Sequence, residues 1–231
     1  MGVDAESDVD DLKRRAARHA ALGEPARLAI VEALVVSDHS PRELSDLLGL
    51  GSNLLAHHLD VLEAAGLVGR SASAGDGRRK YVHLERSAAR GLGLRGRPPA
   101  GRMLFLCTHN SARSQLAAAL WVARTGRPAS SAGTRPAEHV HRGAVAAARR
   151  AGLSLEGSTP SLIDRIPDSA QVVTVCDLVH EQLTPEPGWW HWSIPDPVED
   201  GGAAAFDAVL RELNERIDVV HAAIEPEGDR A

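Results

Sequence analysis

Cys107 and Arg113 carry the most specific chemical signal in this 231-residue chain. Cys107 ends the apolar run MLFLC and opens the polar loop CTHNSAR, which an Ala- and Leu-rich helical pattern follows. A loop between a strand end and a helix start directs backbone N–H groups and the helix dipole at one point, which suits a tetrahedral oxyanion. The same field favours a thiolate. Cys107 is therefore the predicted nucleophile, and Arg113 is the predicted oxyanion clamp.

The rest of this loop offers the groups that an oxyanion site needs. Ser114 can donate a hydrogen bond to the Cys107 sulfur, and Asn110 can brace the loop. The residues expected to surround the oxyanion are Thr108, His109, Asn110, Ser111, Ala112, Arg113 and Ser114. A cysteine and an arginine at this spacing also arise by chance, and the alternative is an inert cysteine buried in a tight turn.

A second candidate segment is WWHWSIPDPVED at 189–200, which is aromatic and loop-like in composition. The carboxyl group of Asp196 could protonate a departing oxygen as a general acid. Its three tryptophans could shield the segment from water. The alternative is an ordinary Asp-Pro turn, but the presence of the Cys107 loop favours the catalytic interpretation.

Strand and helix patterns alternate through the second half of the chain, which favours an α/β domain with a parallel sheet. The predicted strands are 102–107, 128–134 and 169–177, and the predicted helices are 114–125, 141–152 and 203–224. Parallel strands place their carboxyl ends, where sites lie, at one edge of the sheet. Cys107 and Cys176 both fall at strand ends. We therefore expect the two thiols to lie close together, although 69 positions separate them.

The first half is mainly helical and ends in two short alternating segments around Gly75-Asp76-Gly77, a hairpin turn signal. The predicted helices are 9–23, 24–38, 39–49 and 53–67, and the predicted hairpin is 68–84. Ser40, Pro41 and Glu43 form a capping-box pattern at the start of the third helix. Helix, turn, helix and hairpin in this order predict a winged helix-turn-helix domain.

A cationic strip suggests that this domain meets DNA. Residues 66–97 contain eight basic and two acidic side chains, a net charge of +6 that suits phosphate. The candidate DNA-binding residues are Asn53, His57 and His58 in the recognition helix and Arg78, Arg79 and Lys80 in the wing. The alternatives are a solvated linker and a helix-turn-helix that only packs. Adjacent histidines diverge by about 100° on a helix, so we expect no metal site there.

Composition indicates a globular, cytoplasmic protein with two domains. The segment ARGLGLRGRPPAGR at 89–102 is rich in Gly, Arg and Pro, which predicts a linker. The expected boundaries are 1–88 for the winged domain, 89–101 for the linker and 102–231 for the α/β domain. Two cysteines do not make a secreted disulfide framework. No apolar run approaches the roughly 18 residues that span a membrane.

Two family resemblances follow from these motifs. ALGEPARLAIVEAL, HHLDVLEAAGLV and the GRRKYVHL wing resemble the ArsR family of bacterial repressors, which implies a double-stranded DNA operator and allows a homodimer. CTHNSARSQ, SAGT, VVTVC and HWSIPDP resemble the low-molecular-weight phosphatase fold and its arsenate reductase branch. That resemblance implies Cys107 as nucleophile, Arg113 as clamp, Asp196 as acid and Cys176 as the second redox cysteine. Thioredoxin-coupled reductases use a third cysteine a few residues later, and LVHEQLTPEP at 178–187 contains none.

The expected function is therefore a DNA-binding regulator fused to a thiol-dependent arsenate reductase. We expect no bound cofactor. An external reductant must reset the enzyme, either a low-molecular-weight thiol with a glutaredoxin-like protein or thioredoxin. One alternative is a phosphatase acting on phosphotyrosine or a small phosphate ester. The other is a transcription factor whose second domain only senses an oxyanion or the redox state.

Overall fold

The structure is a computed structural model that describes residues 3–224, with side chains described over 7–199 and 201–224. The chain forms two compact units. One contains Met1–Ser71 and Lys80–Gly96, and the other contains Ala72–Arg79 and Arg97–Ala231. The tip of the predicted hairpin therefore belongs to the second unit. The domain boundaries expected from the sequence remain a prediction.

The first unit contains five helices and a two-stranded sheet within the described residues. Its helices are α1 (Val3–Leu22), α2 (Pro25–Val36), α3 (Pro41–Leu48), α4 (Ser52–Ala64) and α5 (Arg86–Ala89), and its strands are β1 (Val68–Ala72) and β2 (Lys80–Leu84). The winged helix-turn-helix order predicted from the sequence is thus present. Among the described residues of this unit, the wing is followed only by the short helix α5.

Local chemistry explains where α3 begins. Ser40 Oγ accepts the N–H of Glu43, and the Glu43 carboxylate accepts the N–H of Ser40 at 2.7 Å, which completes the predicted capping box. His39, just before this cap, pairs with Val82 of β2 through two backbone hydrogen bonds of 2.8 and 3.2 Å. The cap and the bridge together join α3 to the hairpin.

The core of the first unit is aliphatic because the chain contains few aromatic residues. Its most buried side chains are Ile30, Val31, Leu44, Leu55, Leu59, Leu62, Leu67, Tyr81 and Val82. Those that lie on α2 and α4 recur at helical spacing and form the inner faces of these two helices. Tyr81 and Val82 extend the core under the hairpin.

The second unit is built around a four-stranded sheet in the order β4-β3-β5-β6. Its strands are β3 (Arg102–Cys107), β4 (Ala129–Gly133), β5 (Ala170–Thr174) and β6 (Trp190–His191), and every pairing is parallel. Its helices are α6 (Arg113–Thr125), α7 (Arg142–Arg150), α8 (Asp177–Gln182), α9 (Pro197–Asp200) and α10 (Ala203–Ile224). This is the α/β fold predicted for the second half.

The pairing register of the strands brings their carboxyl ends together at the edge of the sheet where the candidate site lies. Leu106 of β3 pairs with Ala132 of β4 and with Thr174 of β5, so three strands end at the same level. On one face, Phe105 packs against Trp121 of α6, with ring centroids 6.2 Å apart. Phe105 also lies 5.6 Å from the ring of Trp192, and this aromatic contact anchors the segment after β6 to the centre of the sheet.

Three features of the second unit differ from the sequence prediction. β5 ends at Thr174 rather than continuing to residue 177, so Cys176 lies just beyond the strand. Residues Asp177–Gln182 form α8, which is not among the helices predicted from the sequence. The aromatic segment predicted as a loop contributes the short strand β6 and the helix α9. A short apolar run does not distinguish these conformations by itself.

Within residues 3–224, no helix has both the length and the apolar character needed to cross a membrane.

Candidate active site and nucleic-acid interface

The loop from Cys107 to Arg113 is held from outside by the chain that follows β4. The backbone N–H groups of Arg135, Ala137 and His141 donate to the carbonyl groups of Thr108, His109 and Ser111 at 2.8 to 2.9 Å. These bonds turn the loop carbonyls outward. Gly133 makes this approach possible, because a Cβ there would lie 2.6 Å from the Thr108 carbonyl oxygen.

Asn110 braces the loop from inside, as predicted. It is fully buried, and its backbone adopts a left-handed conformation with φ of 48°. Its Nδ2 donates to Ser114 Oγ at 2.8 Å and to Ser131 Oγ at 2.9 Å. Its Oδ1 accepts the Ser161 N–H at 2.9 Å and Gln115 Nε2 at 3.2 Å. All the hydrogen-bonding capacity of this amide is used, which locks the unusual backbone conformation in place.

The sulfur of Cys107 is surrounded by donors. Ser114 Oγ lies 3.0 Å from Sγ, and the Asn110 N–H donates to it at 3.2 Å. The loop leads directly into α6, whose axis begins at Arg113, so the positive end of a thirteen-residue helix faces the sulfur. This arrangement suits an anion bound beside the sulfur.

Arg113 and Asp196 meet in the structure although 83 positions separate them. Nη2 of Arg113 lies 2.5 Å from Asp196 Oδ2, and Nη1 donates to the Ile194 carbonyl at 3.0 Å. The other oxygen of Asp196 accepts the Val198 N–H at 3.0 Å and caps α9. The predicted clamp and the predicted acid therefore lie together beside the Cys107 loop.

Cys176 lies at the same edge of the sheet. Its sulfur is 3.4 Å from Thr108 Oγ1, the side chain next to Cys107 in the loop. Both cysteines are buried, with 3% of each exposed, and neither forms a disulfide. The sequence expectation that two distant strand ends bring these thiols to one place is consistent with this geometry.

A buried polar network surrounds the backbone next to Cys176. His191 contacts Thr174 through Nδ1 and Asp177 through Nε2, and the ring of His180 stacks on that of His191 at 4.0 Å. Burial by itself would raise the pKa of the Asp177 carboxyl. Hydrogen bonds from His191 and from the Ala74 N–H, in the same unit, outweigh burial and hold this pKa below its ordinary value of 3.8.

Sequence reasoning assigned no role to this network or to Ser131 and Gln115. Ser131, Thr174 and His191 do lie inside the motifs SAGT, VVTVC and HWSIPDP. The signal that could have identified them is their position at the ends of parallel strands, where polar side chains share an edge with the nucleophile. Among the described residues, no group of three or more His, Cys, Asp or Glu side chains is arranged to hold a metal ion.

Five of the six residues predicted to contact DNA are exposed, and the sixth, His58, is buried. Asn53, His57, Arg78 and Lys80 are exposed, and Arg78 pairs with Asp76 at 3.3 Å. Arg79 is also exposed, and its Nε lies 3.7 Å from Glu181 within the second unit. These positions are compatible with a surface role.

His58 requires a correction. It is 7% exposed, and its Nδ1 lies 3.8 Å from the carboxylate of Glu24, which caps α2. The adjacent His57 points to solvent because neighbouring side chains on a helix diverge. His58 is therefore a core residue of the first unit, and its imidazole is not available at the surface of α4 to meet bases or phosphates.

Replacing Asp177 by Asn tests the charge of the buried network. A lowered pKa means that the carboxylate stabilises the fold above pH 3.8 and loses this contribution as the pH falls below that value. We expect Asp177→Asn to lower the free energy of unfolding by about 2 kcal/mol at pH 7. The difference from wild type should shrink towards pH 3. Urea unfolding of the second unit at several pH values measures it.

The matched control is Asp168→Asn, whose carboxylate is 96% exposed and lies 4.0 Å from Arg165. A surface pair of this kind contributes little, so this variant should match wild type across the same pH range. A pH-independent loss in Asp177→Asn would show that its charge is not what stabilises the network.

Comparison with known proteins assigns both halves of the chain. The model of the low molecular weight phosphotyrosine protein phosphatase family matches residues 102–230, and the model of the bacterial regulatory protein arsR family matches residues 24–69. A comparison with curated protein sequences gave no significant match. These family matches agree with the two folds in the structure.

Several solved structures are similar to the second half. A tyrosine phosphatase of Erwinia amylovora is 22% identical over 54% of this chain and 93% of its own, with a TM-score of 0.47. An arsenate reductase of Archaeoglobus fulgidus is 30% identical over 52% of this chain and 98% of its own, with a TM-score of 0.44. A thioredoxin-dependent arsenate reductase of Corynebacterium glutamicum is 24% identical over 54% and 62%, with a TM-score of 0.42.

The phosphatase-family match covers more than half of the sequence and contains Cys107, Arg113 and Asp196. The chain belongs to the low molecular weight phosphotyrosine protein phosphatase family, and an arsR-type helix-turn-helix domain precedes its phosphatase-like domain.

Proposed function

We propose that the second domain reduces arsenate to arsenite and that the first domain binds an operator in DNA. The observation that carries the reductase proposal is the contact of Cys176 Sγ with Thr108 Oγ1 at 3.4 Å. It brings a second thiol to the edge of the nucleophile loop. Hydrolysis of a phosphate ester needs only one thiol, whereas a two-electron reduction needs two.

The first step is formation of an adduct on Cys107. Arsenate occupies the loop, where backbone N–H groups, the N-terminus of α6 and Arg113 bind its oxygens. The Cys107 thiolate attacks arsenic and forms an S–As bond. The bond from arsenic to the hydroxyl on the opposite side breaks, and Asp196 passes a proton from solvent to this hydroxyl, which leaves as water.

Arg113 must change partners for this step. Its guanidinium is bonded to Asp196 at 2.5 Å, and an oxyanion in the loop competes with the carboxylate for it. Transfer of Arg113 to the oxyanion frees Asp196 to face the departing oxygen. Substrate binding thus prepares the acid as well as the clamp.

The second step moves two electrons. The Cys176 thiolate attacks the Cys107 sulfur, the S–As bond breaks, and its electron pair stays on arsenic, which leaves as arsenite. A Cys107–Cys176 disulfide remains. A small cellular thiol could instead attack the adduct and form a mixed disulfide with Cys107. In either case an external thiol must return Cys107 to its reduced form.

Phosphatase activity is the second candidate function. The arrangement of Cys107, Arg113 and Asp196 that supports adduct formation with arsenate also supports it with a phosphate ester, because the two oxyanions are nearly isosteric. In this case water releases phosphate from the cysteine. Cys176 then has no role in turnover, and this difference separates the two functions.

Cysteine variants distinguish these functions. We expect Cys107→Ser to abolish arsenate reduction and any hydrolysis of an aryl phosphate, because it removes the nucleophile. Cys176→Ser should lose the internal disulfide route but keep hydrolysis. Arsenite production and release of the aryl alcohol measure the two activities. Arsenate reduction at the wild-type rate in Cys107→Ser would refute the whole assignment of the site.

The reductant follows from the burial of both thiols. The sequence contains two cysteines, so an internal disulfide must join Cys107 to Cys176 and cannot pass to a third thiol nearer the surface. Each sulfur belongs to a residue that is 3% exposed. A small thiol enters such a site more easily than a folded protein does.

We therefore expect a low-molecular-weight thiol with a glutaredoxin-like protein to support fast turnover and thioredoxin alone to be slow. Steady-state rates of arsenite formation with each reductant, at equal electron supply, check this expectation. Fast multiple turnover with thioredoxin alone would mean that α8 and its flanking segments open enough to expose the disulfide.

DNA binding is proposed from the arsR-type domain together with the exposed basic residues of its wing. Arg78 and Lys80 are exposed, as is Arg79, and phosphate contacts position such a domain on DNA. Replacing all three by Gln should weaken binding to every sequence. It should also reduce the slope of log K against log salt by about 2 to 3 units, since each phosphate contact contributes about 0.9.

The matched control is the triple variant of Arg142, Arg149 and Arg165, exposed arginines that lie on or near α7 and in the loop before β5. It removes the same charge from the second unit and should leave the salt slope close to wild type. Titration of a labelled operator-length duplex at four salt concentrations measures both variants. An unchanged slope in the wing variant would remove the wing from the interface.

A further inference from the structure

His191 contacts the chain on both sides of Cys176. Its Nδ1 lies 2.9 Å from Thr174 Oγ1 and 3.2 Å from the Thr174 carbonyl oxygen, and its Nε2 lies 3.1 Å from Asp177 Oδ1. Thr174 is two residues before the cysteine, and Asp177 is the residue after it. A single imidazole therefore spans the short segment of backbone that carries the thiol, and we name this arrangement the His191 bridge.

The hydrogen bond between His191 and Asp177 has a fixed donor. The Asp177 carboxylate only accepts, so His191 Nε2 carries a hydrogen. The Thr174 hydroxyl oxygen lies 2.9 Å from the Nδ1 atoms of both His191 and His180. His180, Thr174, His191 and Asp177 thus form a continuous series of polar contacts.

The bridge lies in the interior, where a polar network is rigid if it is satisfied. Thr174 is fully buried, His191 is 1% exposed and Asp177 is 3% exposed. Leaving any of these groups without a partner carries a desolvation cost, so the network opposes displacement of its members. It also aligns β6 with β5, because Thr174 and His191 are paired positions of the two strands.

Cys176 needs such a restraint because it lies beyond the strand. β5 ends at Thr174, and the Val175 N–H makes the last sheet-like bond, to the Leu106 carbonyl at 2.8 Å. The following helix α8 has six residues, and Cys176, its N-cap residue, makes no side-chain capping hydrogen bond. The residues that the bridge holds are therefore the ones that decide where the Cys176 sulfur points.

We propose that His191 is a positioning residue for Cys176, fixing its sulfur against Thr108 so that it can form a disulfide with Cys107. The proposal rests on the redox role proposed for Cys176 but not on the reduction of arsenate. In the step concerned, the two thiols join in an S–S bond. Two electrons and two protons pass to glutathione disulfide, which leaves as two molecules of glutathione.

The test is the equilibrium between the full-length protein and glutathione redox buffers without arsenate. Quenched samples give the fraction with a Cys107–Cys176 disulfide and hence the equilibrium constant of the pair. We expect His191→Ala to lower this constant on the order of tenfold, because misplacing a reacting group reduces its effective concentration. Thr174→Val, which removes only the hydroxyl contact, should shift it in the same direction by less.

A conservative variant and a remote variant separate positioning from general loss of stability. His191→Gln keeps an N–H donor for Asp177 and should recover part of the lost disulfide stability. Leu213→Ala removes a fully buried side chain of α10 and destabilises the core by about 2 to 5 kcal/mol. It should leave the equilibrium constant within about twofold of wild type.

The proposal is overturned if wild type forms no internal disulfide, if His191→Ala matches wild type, or if Leu213→Ala shows an equal loss. Should His191→Ala fail to fold, Thr174→Val and His191→Gln decide the question by the same measurement. Because this experiment contains no arsenate, a negative result does not bear on arsenate reduction, which is measured separately. Conversely, if the wild-type protein did not reduce arsenate, the effect of His191 on the disulfide could still be measured.

Discussion

The side chain of Asn110 is the constraint on which the rest of the site depends. A left-handed backbone is unfavourable for a residue with a Cβ, and here it is maintained because the amide forms four hydrogen bonds in a fully buried position. This conformation directs the Asn110 N–H at the Cys107 sulfur at 3.2 Å. The same amide fixes Ser114 beside that sulfur. The nucleophile, the loop and the start of α6 are thus held by one side chain.

The sheet then determines what can meet this loop. Because β3, β4 and β5 are parallel and end at the same level, each supplies its next residues to one edge. The segment after β4 binds the loop carbonyls, and the segment after β5 carries Cys176 to Thr108. β6 adds His191, Trp192 and, further along, Asp196. A sheet of four short strands therefore assembles groups from across more than eighty positions of sequence.

Two pairs of interacting side chains near the site, Arg113 with Asp196 and Asp177 with His191, differ in how their partners are held. Arg113 and Asp196 neutralise each other beside the loop, and in the proposed mechanism an oxyanion takes the place of the carboxylate. Asp177 keeps its charge in the interior because hydrogen bonds, with that of His191 first among them, outweigh the cost of burial. In the proposed mechanism, Arg113 exchanges Asp196 for the oxyanion. In the second pair, the fixed partner stabilises the backbone around the second thiol.

The sequence alone determined the local features of both domains. The capping box at Ser40, the turn at Gly75-Asp76-Gly77, the loop at Cys107 and the helix over 203–224 follow from patterns within a few turns of chain, where propensity and spacing decide the outcome. The tertiary structure decided which distant groups meet. It buried His58 beside Glu24, ended β5 before Cys176, and joined His191 to Thr174 and Asp177. These outcomes depend on strand register and on contacts between segments far apart in the chain, which a local pattern of residue types does not specify.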